Sequence, residues 1–212
     1  MTEEAAQRRY HHGDLRSALV DAALERTRSV GPRELSLREV TRDVGVSPAA
    51  AYRHFADRSQ LLGATAFRIQ EKMGETMRRR MRAPRDATPL HRALARVRGV
   101  GLGYIAFAVA EPGWFETAFF GDRDSGLAAL TAQGVPPPFA LLTDALDDLV
   151  AAGGLSAGRR TDAEFVCWSA VHGCAELLIH GPLRDADAAT ARRISERVVD
   201  DIITGVTADP AT

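Results

Sequence analysis

Between residues 31 and 57 the chain is punctuated so often that only short helices fit. Gly31-Pro32 stops whatever helix precedes it, because glycine accepts the left-handed conformation at a helix end and proline cannot continue the helix. Ser36 and Glu39, three residues apart, make a capping box for a helix carrying Leu37, Val40 and Val44. Gly45 ends it. Ser47-Pro48 reads as an N-cap followed by proline at the first helical position, opening a third helix through about Phe55. Two short helices around a glycine-centred turn, each pinned by apolar residues, form a helix-turn-helix unit.

The rest of the chain is read in the same way. Asp14 caps a first helix with Leu15, Leu19, Ala22 and Ala23 on one face, and Asp57 starts a long fourth helix with Leu61, Leu62, Phe67 and Ile69. The basic run Arg78, Arg79, Arg80 and Arg82 closes that helix, where cations oppose the negative end of the helix dipole. Beyond the breakers from Pro84 to Pro89, helices are expected near 89–110, 113–120, 124–133 and 139–152. Loops fall at Gly134–Pro138 and Gly153–Gly158. A helix from Thr161, with Glu164 completing a capping box, runs to about His180, and a last one spans about 187–206. No period-two strand pattern competes. The fold class is all-α, with a three-helix helix-turn-helix domain at residues 1–58 and a larger helical domain at 59–212.

In the helix-turn-helix, Val40 and Val44 face the core from the first helix, and Val46, Ala51 and Phe55 from the second. Pro48, Ala49, Tyr52 and Arg53 are left looking outward. A helix this short enters a DNA major groove about 12 Å wide with its N-terminal residues at base edges. Compact helix pairs also occur in purely structural bundles, so spacing alone leaves DNA binding open. Charge does not decide it either: residues 1–60 hold ten Arg against nine acids, a net of +1. Arg8, Arg9, His11 and His12 precede the first helix as a basic arm, expected to be disordered in free protein and able to meet phosphate on DNA.

The stretch Leu37-Arg38-Glu39-Val40-Thr41-Arg42-Asp43-Val44-Gly45-Val46-Ser47, running into Ala51-Tyr52-Arg53-His54-Phe55-Ala56-Asp57-Arg58 and Leu61, resembles the DNA-binding signature of the TetR family. The resemblance implies a homodimer that grips a pseudo-palindromic double-stranded DNA operator and releases it on binding a small effector. It places Ser36, Arg38, Pro48, Ala49 and Tyr52 at bases or groove-edge phosphates, with Ser47 beside them at the helix start. It places Arg53, His54 and Arg58 on the DNA backbone. Three positions depart from the family pattern: Ala50 where a hydroxyl is frequent, Thr41 where a small alanine is usual, and Arg58 where lysine is. Farther on, Trp168-x-x-x-His172-Gly173 is similar to the Trp–His–Gly signature of one branch of that family, which also favours the Ser-Pro-Ala-Ala of Ser47 to Ala50.

Other chemistries find little support. Gly99-x-Gly101-x-Gly103 lacks the preceding strand and the spacing of a dinucleotide site, and suits a helix facing a cavity or a close neighbour. His172, Glu176 and His180 are spaced by four and can share a metal in principle, but no established ligand spacing accompanies them. No nucleophile elbow, paired catalytic carboxylates or phosphate loop is present, so neither enzyme activity nor a cofactor or metal is expected. The apolar stretch Gly99–Ala110 is too short to span a bilayer. Cys167 and Cys174, if on one helix, are separated by roughly 10 Å and too far apart to bridge. Reduced thiols fit a cytoplasmic protein.

Tyr104, Phe107, Trp114, Phe115, Phe119, Phe120 and Phe139 concentrate aromatic bulk in the middle helices. They are either ordinary core or the wall of a pocket, and the family resemblance favours a pocket. Tyr104, Phe107, Trp114, Phe119, Trp168 and His172 are then the expected ligand residues, for a mostly apolar effector. Ile194, Val198 and Ile202 form a stripe on the last helix, faced by Leu177 and Leu178, and mark the expected dimer interface. The alternative is a DNA-binding scaffold with no ligand.

Overall fold

The computed structural model describes residues 15–120 and 134–208. Asp14, the basic arm and the helix expected near 124–133 lie outside the described residues. Among the described residues there are helices and no strands. The chain divides into two compact units, Met1–Ile69 with Pro112–Ala132, and Gln70–Glu111 with Gln133–Thr212.

The first unit opens with α1 (Leu15–Val30), α2 (Leu37–Val44) and α3 (Pro48–Tyr52). Leu19, Val20, Ala23 and Leu24 are buried along one face of α1, at the spacing of a helix stripe. Leu19, Val20 and Ala23 meet Leu35, Leu37, Val40, Ala51 and Phe55, together with Leu61 and Leu62 from α4 (Arg58–Arg80). That core forces α2 and α3 to keep their apolar sides inward. Their caps are as the sequence suggests. Ser36 Oγ accepts from the Glu39 amide at 3.2 Å, and Gly45 at φ 75° closes α2. The Val46 amide then reaches back to the Thr41 carbonyl at 2.9 Å, completing a Schellman turn. Ser47 caps α3 through the Ala50 amide, with Pro48 in the first turn. This helix is shorter than expected and stops at Tyr52.

A segment distant in sequence completes this unit. Helix α6 (Pro112–Phe120) packs on α1, burying Trp114, Phe115, Thr117 and Ala118. A Cβ at Gly113 would fall 2.5 Å from the Thr27 carbonyl oxygen, so only glycine permits this approach.

The second unit is built on α5 (Pro89–Ala110), which packs against α7 (Pro137–Ala151), α9 (Ala163–Ile179) and α10 (Ala188–Thr207), with the short α8 (Ala157–Arg160) against α7. By length and composition α5 also matches a membrane span, longer than the Gly99–Ala110 stretch alone suggests. Its burial against these helices accounts for that apolar character. The three glycines of α5 are explained by packing. A Cβ on Gly99 would meet the Arg80 carbonyl oxygen at 2.4 Å, and one on Gly103 the Met77 Cα at 2.6 Å. Gly101 faces Val199 of α10. Arg98 fastens the same pair of helices through Asp200, at 2.6 and 3.1 Å.

Thr161 does not cap α9. The Gly153–Gly158 segment, expected as loop, leads into α8, and Thr161 ends that helix. Asp162, in the left-handed region at φ 60°, starts α9 without a side-chain cap. Glu164 instead pairs with Arg160 at 2.6 Å, and Arg160 also holds Asp147.

Candidate DNA-reading helix and effector site

The face of α3 turned away from the core carries Ser47, Pro48, Ala49, Tyr52 and Arg53, with His54 directly after it, all exposed. Tyr52 keeps 55% of its surface open, a large exposure for an aromatic side chain beside a buried Phe55 at 1%. Arg38 is exposed on α2, and Ser36 is half-buried at its start. Two adjoining elements thus present a donor-rich surface whose core-side residues are fixed by packing. α2 is held to α1 by Arg26, whose guanidinium bridges Asp43 and lies 3.4 Å from Glu39. That pairing holds the Asp43 carboxyl below its ordinary pKa.

Arg58 is occupied differently from the phosphate contact expected of it. Its Nε donates to the Leu35 carbonyl at 2.7 Å, and a terminal nitrogen donates to the Pro32 carbonyl. The guanidinium therefore ties the start of α4 to the loop between α1 and α2. Its fork geometry suits several carbonyls at once.

The expected ligand residues separate into two groups. Trp114 and Phe119 belong to α6 in the first unit. Trp114 is 7% exposed, donates Nε1–H to the Leu24 carbonyl at 2.8 Å, and lies under the Arg28 guanidinium, 4.9 Å from the ring centroid. Phe119 packs on Phe115, with centroids 5.0 Å apart. Trp114 thus helps dock α6 on α1 within that unit.

In that second unit Tyr104, Trp168 and His172 come together. Trp168 Nε1 donates to the Tyr104 hydroxyl at 3.1 Å, and that hydroxyl lies 2.8 Å from His172 Nδ1. Burial lowers the pKa of His172, opposed by the nearby negative charge of Glu176, so the ring is neutral near pH 7. Burial likewise raises the pKa of Tyr104 well above its ordinary value. The phenol and the neutral imidazole share this hydrogen bond, whose direction is set by which ring nitrogen carries the proton. Phe139 meets Trp168 edge to face with centroids 5.8 Å apart, and Phe165 packs tilted against Phe139 at 5.8 Å. Phe107 is buried on α5, at 5% exposure.

The outer face of α9 carries the exposed apolar residues Phe165, Val166 and Leu177. Leu178, expected beside Leu177 at the dimer interface, points into the core of its own unit at 7% exposure. Ile194, Val198 and Ile202 of α10 are half-buried. Cys167 and Cys174 are buried free thiols, and burial pushes Cys167 up to about 11.

Two family models match the chain, one described as bacterial regulatory proteins of the tetR family over residues 19–65, the other as a tetracyclin repressor-like C-terminal domain over residues 97–202. The transcriptional regulator BetI of Rhizobium meliloti is 39% identical over 83 residues, 39% of this chain and 40% of that protein. BetI of Serratia proteamaculans is 32% identical over 84 residues, 40% of this chain and 42% of that protein, so the match spans about two fifths of these curated relatives. Among solved structures, a protein of unknown function from Rhodococcus sp. RHA1 superposes with a TM-score of 0.73 at 26% identity, covering 94% of this chain and 98% of that one. FadR from Bacillus subtilis, in complex with stearoyl-CoA, gives 0.68 at 14% identity over 89% and 98% of the two chains. A TetR variant from Acinetobacter baumannii AYE, in complex with minocycline, gives 0.62 at 18% identity over 90% and 97%. With matching family models for both parts of the chain, the protein belongs to the TetR family of bacterial transcriptional regulators.

Proposed function

We propose that this regulator is a homodimeric repressor that holds a pseudo-palindromic operator and lets go when a small, mostly apolar effector binds its second unit. The observation that carries the reading is the exposed Tyr52, flanked by Ala49, Arg53 and His54, on a helix whose opposite side is locked by Ala51 and Phe55. A reading helix needs that combination: a rigid back and a bare, hydrogen-bonding front. Two such helices one DNA turn apart require two protomers, and the exposed Phe165, Val166 and Leu177 offer the second copy an apolar face.

The effector site is assigned to the surroundings of Tyr104, Trp168 and His172, with Phe107 buried on the same helix as Tyr104. Half-buried aromatic rings with a few oriented polar atoms are the usual make-up of a small-molecule site. Release follows by linkage: an effector that prefers the conformation with badly spaced reading heads lowers operator affinity by its differential binding. A scaffold without effector is favoured by one observation, that Tyr104 already satisfies its hydroxyl inside the protein. Selection of genomic fragments by the purified protein, followed by a screen of apolar compounds against the selected complex, tests both parts. An enriched palindrome released by such a compound is expected. No enriched operator would overturn the repressor reading. An operator that no compound releases would leave the scaffold.

A further inference from the structure

Glu176 lies one helical turn beyond His172 on α9, and its charge is felt by both His172 and Tyr104. Its two oxygens fare differently. Oε2 lies 3.1 Å from Nδ1 of the exposed His180. Oε1 is cut off from water and has no hydrogen-bond donor among the described residues. A carboxylate oxygen hidden from solvent without a donor is a costly arrangement, and proteins keep such groups where something else completes them. On the same face of α9, Trp168 and His172 are half-buried, and so is Phe139 beside them. An acceptor carrying negative charge on the same helix as half-buried aromatic rings selects a cation that also carries N–H.

We propose that the effector is an apolar compound with a protonated amine, whose N–H is donated to Glu176 Oε1 while its apolar part lies along Trp168 and Phe139. The proposal rests on the effector reading above and specifies its chemistry. A neutral alcohol offers the hydrogen bond without the charge, a quaternary ammonium offers the charge without the hydrogen bond, and a carboxylic acid is repelled. The amine satisfies both demands.

The full-length protein titrated calorimetrically with phenylbutylamine, phenylbutyltrimethylammonium, phenylbutanol and phenylbutyrate tests this. The amine should bind about tenfold or more tightly than each of the other three, the difference a charge-assisted hydrogen bond makes. Glu176→Gln should bring the amine and the alcohol to within about threefold of each other, with a circular dichroism spectrum and a dimer mass like those of the parent. Equal binding of the alcohol, the acid or the trimethylammonium compound overturns the amine assignment and leaves the effector reading standing. Binding by none of the four overturns the amine assignment as well. Dissociation of Glu176→Gln into monomers assigns Oε1 to a donor from a second protomer and also overturns it. An amine that binds as expected yet never releases operator DNA supports the site and counts against the effector reading alone.

Discussion

Trp114 and Leu24, ninety residues apart, are joined by one hydrogen bond of 2.8 Å from the indole N–H to a helix carbonyl. The same ring lies under Arg28, so α6 is fixed to α1 by a donor, a cation and a buried aromatic surface together. Trp114→Phe keeps the ring and loses the donor, and should lower stability by about 1 kcal/mol. Trp114→Ala opens a cavity and should cost roughly 3–5 kcal/mol. Urea unfolding of both variants checks the pair. A Phe variant as unstable as the Ala variant would show that the hydrogen bond, not the packing, dominates.

If α3 reads DNA as proposed, its exposed residues should divide into base contacts and backbone contacts. Tyr52→Ala should weaken operator binding far more than binding to random DNA, with an unchanged melting temperature. Arg53→Ala and His54→Ala should weaken both alike, and Arg53→Ala should reduce the salt slope of log K by roughly 1. Arg58→Ala should behave otherwise. Its guanidinium serves the Pro32 and Leu35 carbonyls, so the expected loss is about 1–3 kcal/mol of stability with the salt slope retained. Fluorescence anisotropy across a salt series, alongside thermal melts, distinguishes the two patterns.

His172 ties stability to pH. Burial depresses its pKa in the folded protein below the ordinary value of 6.5. The unfolded chain therefore takes up the proton first as pH falls, and the contribution of this group is complete above about 6.5 and declines below it. His172→Gln should flatten the part of the decline that begins there. Melting temperatures of both proteins between neutral and mildly acidic pH give the comparison, and parallel curves would remove His172 as the cause.

The outer face of α9 gives the test of assembly. Leu177→Asp places a charge on an exposed position and should yield folded monomers that no longer hold operator DNA. Val198→Asp on α10 should do the same. Leu178→Asp, one residue along, buries its charge in the unit core and should unfold the protein. Light scattering with circular dichroism separates dissociation from unfolding.

Local signals carried the sequence reading furthest. Ser36 with Glu39, Gly45, and Ser47-Pro48 each act within one turn of helix, and the structure keeps the caps where the residues put them. Trp168 and His172, four apart, share a helix face that the sequence shows, whereas Tyr104 stood there with Phe107, Trp114 and Phe119 and nothing in the sequence marks it as their hydrogen-bonding partner. Long-range contacts were not legible. Nothing near Trp114 tells that its partner is Leu24, and nothing near Arg58 tells that it serves the loop after α1. Leu177 and Leu178 are chemically equal, and only the pitch of α9 against α5 and α10 sends one out and the other in. The misplaced start of α9 has the same origin. Thr161 and Glu164 have the right spacing for a cap, but Arg160, held by Asp147 of α7, claims the glutamate.

The two buried thiols have a practical consequence. Burial pushes Cys167 up to about 11 and raises Cys174 as well, so both thiols stay protonated at neutral pH. Maleimide and nitroxide reagents need a reachable thiolate, so the native chain is nearly silent to them. Ala49→Cys alone would then direct a spectroscopic label to the reading helix without first replacing either natural cysteine. Paired labels in a dimer would turn the spacing of two reading heads into a measured distance, with and without a candidate amine.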